Sequence, residues 1–151
     1  MEQNIVDLIN SLGGKSDDFY TSGEVASSKI AQAAVTLGVE FAKEFVEYAQ
    51  KFGAVELDYV EYCGIVDFNN TSTVWRTQNM REFSDFPMDC YVIESLGIDN
   101  IVTVQKSDGK VYQYAPGHEL EFIANSFGEY LLSKNEVRNE RSEYWKGRAD
   151  V

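Results

Sequence analysis

Apolar side chains recur every three or four residues over the first third of the chain, which is the spacing of amphipathic helices. This pattern predicts helices over Ile5–Leu12, Ile30–Leu37 and Phe41–Phe52. Gly38 and Gly53 follow the second and third helices, in the position where glycine commonly ends a helix. The aromatic residues of the third helix fall on one face, so we expect that face to pack in the core.

Beyond Gly53 the period changes to two, which is typical of strands with one buried and one wet face. No helix of useful length separates most of the strand candidates, and Asp108-Gly109 is a hairpin-turn signal between the last two. We interpret residues 77–88 as a loop or a single helical turn. The pattern predicts an α+β domain: a mainly antiparallel sheet of about six strands with helices packed on one side. The strand candidates are Val55–Tyr59, Glu61–Phe68, Thr73–Arg76, Cys90–Glu94, Ile101–Gln105 and Val111–Tyr114.

After Pro116-Gly117 the chain returns to a helical pattern that we expect to cover the sheet. Its apolar positions are Phe122, Ile123, Phe127, Tyr130 and Leu131. From 134 to 151 charges of both signs alternate, which indicates a solvated helical extension. We see no internal repeat or linker, so we expect a single domain over residues 1–151.

The composition is that of a folded domain with an acidic surface. The chain has 151 residues, of which 44% are hydrophobic and 13% aromatic, and this content argues against disorder. Its formal charge is -12 and its pI is near 4.4. Nucleic acid and anionic membranes would repel such a domain, so we expect neither as a partner. A basic protein would be attracted.

The sequence shows no sign of export or membrane insertion. Residues 1–7 lack the charged and apolar regions of a signal peptide, and no run approaches the roughly 20 apolar residues of a membrane span. We therefore expect a cytoplasmic protein, present as a monomer or weak dimer. Cys63 and Cys90 should then be two buried free thiols.

Residues that could carry chemistry are few. His118 is the only histidine, so a His-rich metal centre is excluded, although a Ser-His-Asp or Cys-His arrangement remains arithmetically possible. Gly13-Gly14-Lys15-Ser16 is similar to the end of a phosphate-binding loop, but the earlier glycine and the preceding strand are missing. We expect no catalytic residues, cofactor or metal site, and no enzymatic activity.

A succession of short segments carries a resemblance to a known family. In order, they are Leu37-Gly38-Val39, Phe52-Gly53-Ala54-Val55, Tyr91-Val92-Ile93-Glu94, Ile98-Asp99-Asn100-Ile101, Gly109-Lys110-Val111-Tyr112-Gln113-Tyr114, and Ser126-Phe127 with Tyr130-Leu131. This order resembles the SUKH superfamily, which contains yeast cell-wall-synthesis regulators and many bacterial immunity proteins. The likeness spans residues 27–133, with one departure at Ala42, where many relatives have a proline. The resemblance implies an α+β binding domain without enzymatic activity, which in bacteria most often neutralises a toxin by direct contact.

Acidic residues are concentrated before the last third of the chain. Residues 1–100 contain 17 acids and 6 bases, whereas residues 101–151 contain 8 acids and 7 bases. If the predicted strands share a sheet, its exposed face should carry a negative field that speeds encounter with a basic protein. The candidate partner-binding residues are acids and aromatic anchors of these strands: Glu56, Asp58, Tyr59, Glu61, Asp67, Trp75, Asp85, Asp89, Tyr91, Glu94 and Asp99.

These observations lead to two functional hypotheses. The first is an immunity protein that binds a cognate, basic, nuclease-type toxin through an acidic sheet face and covers the surface with which the toxin holds nucleic acid. The alternative is a regulatory or scaffold module related to the cell-wall (glucan) synthesis regulators. On charge alone, the acids could equally serve only to keep the domain soluble. No motif supports a small-molecule-binding or hydrolytic domain.

Overall fold

The computed structural model describes residues 4–97 and 99–134 of the chain. Its helices are α1 Ile5–Gly14, α2 Ser27–Leu37, α3 Lys43–Phe52, α4 Thr73–Phe83 and α5, which is helical from 127 to 134; a 3-10 turn covers Asn69–Thr71. Its strands are β1 Phe19–Thr21, β2 Val55–Leu57, β3 Val60–Tyr62, β4 Tyr91–Ser95, β5 Val102–Gln105, β6 Val111–Tyr114 and β7 Glu121–Ala124.

The seven strands form one antiparallel sheet whose spatial order follows the order along the chain. β3 meets β4 at a single pair of residues, Tyr62 opposite Glu94. Beyond that pair α4 takes the place beside β4, where the Thr77 hydroxyl accepts a hydrogen bond of 3.0 Å from Val92 N. The prediction of an α+β fold with a mainly antiparallel sheet is confirmed.

The three helices predicted in the first third of the chain are all present. α1 and α2 cover the predicted spans, and α3 begins at Lys43, two residues after the predicted start. Gly38 ends α2 with a left-handed φ of 67°, and its N–H bonds back to the last turn of that helix. Glycine suits this position because it has no side chain to clash in the left-handed region.

The prediction of a strand at Thr73–Arg76 followed by a loop is wrong, because the chain forms α4 there. Ser72 begins the helix by accepting a hydrogen bond of 3.1 Å from Trp75 N. The buried positions of α4 are Thr73, Thr77 and Met80, which do have helical spacing. Two of those three residues are threonines, so a pattern of hydrophobic residues could not reveal the buried face.

The two edge strands, β1 and β7, lie where the sequence pattern predicts no strand. β1 lies in a stretch that carries no predicted strand, and it pairs with β2. The predicted closing helix is wrong over Phe122 and Ile123, since β7 pairs there with β6 and the helix starts only at 127. The predicted C-terminal extension lies, apart from its first residue, outside the described residues.

The main core lies between the helices and one face of the sheet. α1, α3 and α5 contribute Ile9, Phe45 and Phe127, which pack in one cluster with Tyr91 and Ile93 of β4. All five side chains are at most 1% exposed. A second cluster lies on the other face of the central strands, where it joins Val92, Val104, Met80 and Phe86. The aromatic face of α3 is therefore core, as predicted.

Gly64 stands where two backbone segments meet. A Cβ at this position would lie 1.7 Å from the carbonyl oxygen of Gly53, which also accepts a hydrogen bond of 3.0 Å from Ile65 N. Gly14, in contrast, has no atom within 4 Å of the same added group.

We predict that Gly64→Ala destabilises the fold by about 1–3 kcal/mol or more, because backbone atoms must move to admit the methyl group. Gly14→Ala is the matched control and should change the free energy of unfolding by less than about 0.5 kcal/mol in either direction. Urea denaturation of both variants measures the difference. Equal stabilities would contradict the close approach at Gly64.

A buried polar network ties α3, the sheet and α5 together. Gln105 Nε2 donates to Glu44 Oε1 at 2.7 Å, and Phe127 N donates to the same oxygen at 2.6 Å. The Gln105 Oε1 atom accepts from the Tyr91 hydroxyl at 2.8 Å, and Tyr91 in turn accepts from Ala42 N at 3.0 Å. Glu44 thus binds the first turn of α5, where a helix favours negative charge.

We expect Glu44→Ala to lower the free energy of unfolding by about 1–3 kcal/mol, because one N–H of the Gln105 amide and the first N–H of α5 lose their acceptor. The Gln105 amide keeps only its bond to the carbonyl of Gly109. Glu40→Ala, an exposed acid just before α3, is the control and should be close to neutral. Thermal unfolding followed by circular dichroism makes the comparison. Equal melting temperatures of the two variants would show that the network does not hold α5.

A candidate protein-binding face

One face of the first three strands stays open to solvent. Val55 and Leu57 point into the main core, so Glu56 between them points to the opposite face. In the register of the sheet Glu56 stands directly opposite Glu61 of β3 and opposite Tyr20 of β1. Two acids and an exposed tyrosine therefore form a row across the open face.

A groove runs beside this row, between the β2–β3 hairpin and the start of α4. Its volume is about 440 Å³. The charged residues of its lining are Glu56, Glu61, Glu94 and Arg76. Lys134 neutralises Glu94, so Glu56 and Glu61 together leave the groove negative. Arg76 is the cation of this lining, and its Nε donates to the carbonyl of Asn70 at 3.0 Å. We call this the hairpin groove. Its lining includes Glu56, Tyr59, Glu61, Asn70, Arg76 and Leu96.

The tip of the β2–β3 hairpin is held from below by the segment before β1. Asp58 N donates to the carbonyl of Asp18 at 2.9 Å, and Tyr59 N donates to Asp18 Oδ2 at 2.6 Å. Ser16 Oγ is 2.5 Å from Asp58 Oδ1. Asp18 is only 5% exposed, whereas Tyr59 is 78% exposed. The tip is therefore anchored on its inner side and presents a tyrosine on its outer side.

The carboxylates of this face repel one another. A hydrogen bond to Asp18 raises the pKa of Glu56, and so do partial burial and the negative charges of Asp18 and Glu61. Like charges directly opposite each other in a sheet are destabilising. A positive charge placed beside these carboxylates would therefore reduce their mutual repulsion.

The chain can now be compared with known proteins. The family model SUKH_5, described as SMI1-KNR4 cell-wall, matches residues 3–136. The chain belongs to the SUKH family. The resemblance seen over residues 27–133 is thereby confirmed, and the match extends it through α1. No curated protein matches this SUKH chain.

The hairpin of this SUKH domain unites four of the predicted partner-binding residues. Glu56, Tyr59 and Glu61 line the hairpin groove, and Asp58 lies in the adjoining turn. The other exposed candidates are distributed elsewhere. Asp67 and Trp75 line a separate groove between α2 and α4, of about 360 Å³. The remaining three, Asp85, Asp89 and Asp99, are exposed on other loops.

Two candidates are not exposed, and the prediction of a contact role for them is wrong. Tyr91 is 0% exposed and its hydroxyl belongs to the polar network around Gln105. Glu94 is 3% exposed, and both of its carboxylate oxygens accept from Lys134 Nζ at 2.8 Å. The Tyr130 hydroxyl also donates to Glu94 at 2.6 Å. Both side chains hold the fold together.

Sequence reasoning missed Asp18, Tyr20 and Arg76 as parts of the face. Asp18 and Tyr20 lie in a stretch that showed no strand pattern, and Arg76 lies in a segment that was assigned to the sheet. No local signal identifies Asp18 as the support of a turn 40 residues away in sequence. The pairing of β1 with β2 creates that contact.

The chemistry of the buried cysteines does not point to catalysis. Cys63 and Cys90 are free and buried, as predicted. Burial raises the pKa of the Cys63 thiol to about 12 and that of the Cys90 thiol to about 12. Both thiols therefore stay protonated at neutral pH and are poor nucleophiles. Among the described residues, no three of His, Cys, Asp and Glu lie where they could hold a metal ion.

No helix within residues 4–97 and 99–134 is long and apolar enough to cross a membrane.

Replacing Glu56 by glutamine should stabilise the domain at neutral pH. The raised pKa means that the folded state favours the protonated carboxyl, so stability is lost as pH rises through that pKa. Glutamine keeps the shape without the charge. We expect the variant to melt above the wild type at pH 7, with the gap closing below the ordinary carboxyl pKa of 4.5.

The matched control for this prediction is Glu119→Gln, an exposed acid near β7. Its melting temperature should follow that of the wild type at every pH. A gap for Glu56→Gln that does not change with pH would show that charge repulsion is not its cause.

Proposed function

We propose that this SUKH domain is a non-enzymatic immunity protein that neutralises a cognate, basic, nuclease-type toxin by binding it through the open face of β1–β3. The observation that carries the proposal is the pair of like charges, Glu56 opposite Glu61, on a solvent-exposed sheet face. Such a pair destabilises the free domain. A basic partner would convert the repulsion into attraction on binding.

The mechanism is occlusion. A toxin that attacks nucleic acid holds phosphate groups with lysine and arginine. An acidic face that covers those side chains competes with the substrate and needs no chemistry of its own. Charge complementarity of this kind mainly raises the association rate and excludes wrong partners. The domain would act in the cytoplasm, as a monomer or weak dimer, without binding nucleic acid or membrane.

The alternative is a regulatory or scaffold module of cell-wall synthesis. A module of this kind would bind an endogenous enzyme or scaffold protein, and it would confer no protection against a toxin. Growth rescue therefore separates the two functions.

The test uses the product of the gene beside the one for this chain, expressed as the candidate toxin. Wild-type protein should restore growth of cells that express the toxin, and the purified pair should associate more slowly as salt is added. Glu56→Lys with Glu61→Lys should lower the association rate roughly ten-fold or more, because the attraction becomes repulsion. Stopped-flow or surface plasmon resonance gives the rates.

The matched control is Glu119→Lys with Glu121→Lys. Both of these acids are exposed and lie near β7, at the sheet edge opposite to β1. The two double variants change the net charge equally, so only the position of the charge differs. Equal slowing would assign the effect to net charge and contradict the face. Absence of both rescue and binding would contradict the immunity function for that toxin and favour the regulatory alternative.

A further inference from the structure

The tip of the β2–β3 hairpin has a backbone that its residues rarely adopt. Asp58 and Tyr59 form a two-residue turn in which both φ angles are positive, 54° and 67°. Turns of this geometry generally use Asn-Gly or Asp-Gly, because glycine has no side chain to clash. A bulky residue at positive φ is an outlier, and Tyr59 occupies the place where glycine would be expected.

This conformation is imposed by contacts from another part of the chain. The carbonyl and one carboxylate oxygen of Asp18 accept the N–H groups of Asp58 and Tyr59, and Ser16 reaches the Asp58 side chain. The N–H of Asp18 itself donates a hydrogen bond of 3.0 Å to Ser16 Oγ. The backbone of the turn is thus held by these hydrogen bonds, which set the point from which the exposed Tyr59 ring projects.

The exposed tyrosine lines the hairpin groove together with Glu56 and Glu61. The chain's own Arg76 also lines this groove and donates to the carbonyl of Asn70. An aromatic face beside carboxylates suits one kind of side chain in particular. The guanidinium of arginine is planar and weakly hydrated, stacks on aromatic rings, and pairs with carboxylates through several N–H groups. The ammonium of lysine lacks that planar match.

We propose that the hairpin groove receives an arginine side chain of the basic partner, with Tyr59 as the stacking and specificity-determining anchor and Asp18 as its positioning residue. The proposal rests on the proposed function and names the group that the acidic face recognises. Because the turn is preorganised, little conformational entropy is lost when the guanidinium stacks on the ring. The strained turn is then a means of holding Tyr59 beside the carboxylates.

The probe is a five-residue peptide with one central arginine between glycines and blocked ends, compared with its lysine and citrulline analogues. Citrulline keeps the shape of arginine without its charge. Titration of the full chain, followed by the amide resonances of Glu61 and Asn70, measures the affinity. The arginine peptide should bind most tightly, and the citrulline peptide should cause no saturable shifts.

The variants separate the aromatic face from general apolar contact. Tyr59→Leu should weaken the arginine peptide roughly two- to five-fold, which is the usual contribution of an exposed cation–π contact. Tyr59→Phe should bind as the wild type does. Phe122→Leu changes an aromatic residue of β7 that is 52% exposed at the opposite edge of the sheet; it is the control outside the binding face and should bind normally.

The role of Asp18 has its own pair of variants. Asp18→Asn keeps an oxygen that can accept from Tyr59 N, whereas Asp18→Ala removes it. In Asp18→Ala we expect faster amide hydrogen exchange at Tyr59 and a lower affinity for the peptide. In Asp18→Asn both the exchange rate and the affinity should stay close to the wild-type values. If Asp18→Ala unfolds the domain, the Tyr59 variants still decide the proposal.

Unchanged affinity in Tyr59→Leu would overturn the anchor, and equal binding of the lysine or citrulline peptide would overturn recognition of arginine. Neither result would affect the immunity function, which depends on rescue and on the reversal of Glu56 and Glu61. Conversely, growth rescue that does not depend on Glu56 and Glu61 would contradict the proposed function even if the arginine peptide bound. The two failures are therefore distinguishable.

Discussion

The carboxylate of Glu44 is the contact on which the arrangement of this domain depends. It lies on α3, accepts from Gln105 of the sheet, and accepts from the first turn of α5. Residues 83 positions apart in sequence are joined by one side chain. Burial raises the pKa of Tyr91, so its hydroxyl remains a donor to Gln105. Because the side chains of this network are paired with one another, they favour one position of the helices over the sheet.

A second contact holds α5 at Lys134. Lys134 pairs with the buried carboxylate of Glu94 and lies over the rings of Tyr62 and Tyr130, at 5.0 and 5.1 Å. With α5 held at Phe127 and at Lys134, one face of the sheet is covered by helices. The opposite face of the first three strands stays open to solvent. The same construction that buries one side thereby leaves Glu56 and Glu61 in solvent.

Stability and binding oppose each other at that open face. Asp18 supports the hairpin tip through its acceptors, yet its charge also raises the pKa of Glu56 beside it. A sequence selected for stability alone would place a neutral or basic residue at one of these positions. Retention of three carboxylates around a strained turn is understandable if a basic partner completes the site. The charge of the face is what supports the proposed binding of a basic protein.

The sequence by itself determined α1 to α3, most of the strands, the fold class and the acidic character of the surface, since each follows from local hydrophobic spacing or from composition. Only the tertiary structure decided which acids are exposed. Tyr91 and Glu94 have the same local pattern as their neighbours, and their burial follows from what α3 and α5 place against them. α4 escaped detection because threonines form its buried face, and the support of Tyr59 by Asp18 exists only because β1 pairs with β2. Contacts between residues distant in sequence leave no periodic trace in either segment, so they arise only when the chain folds.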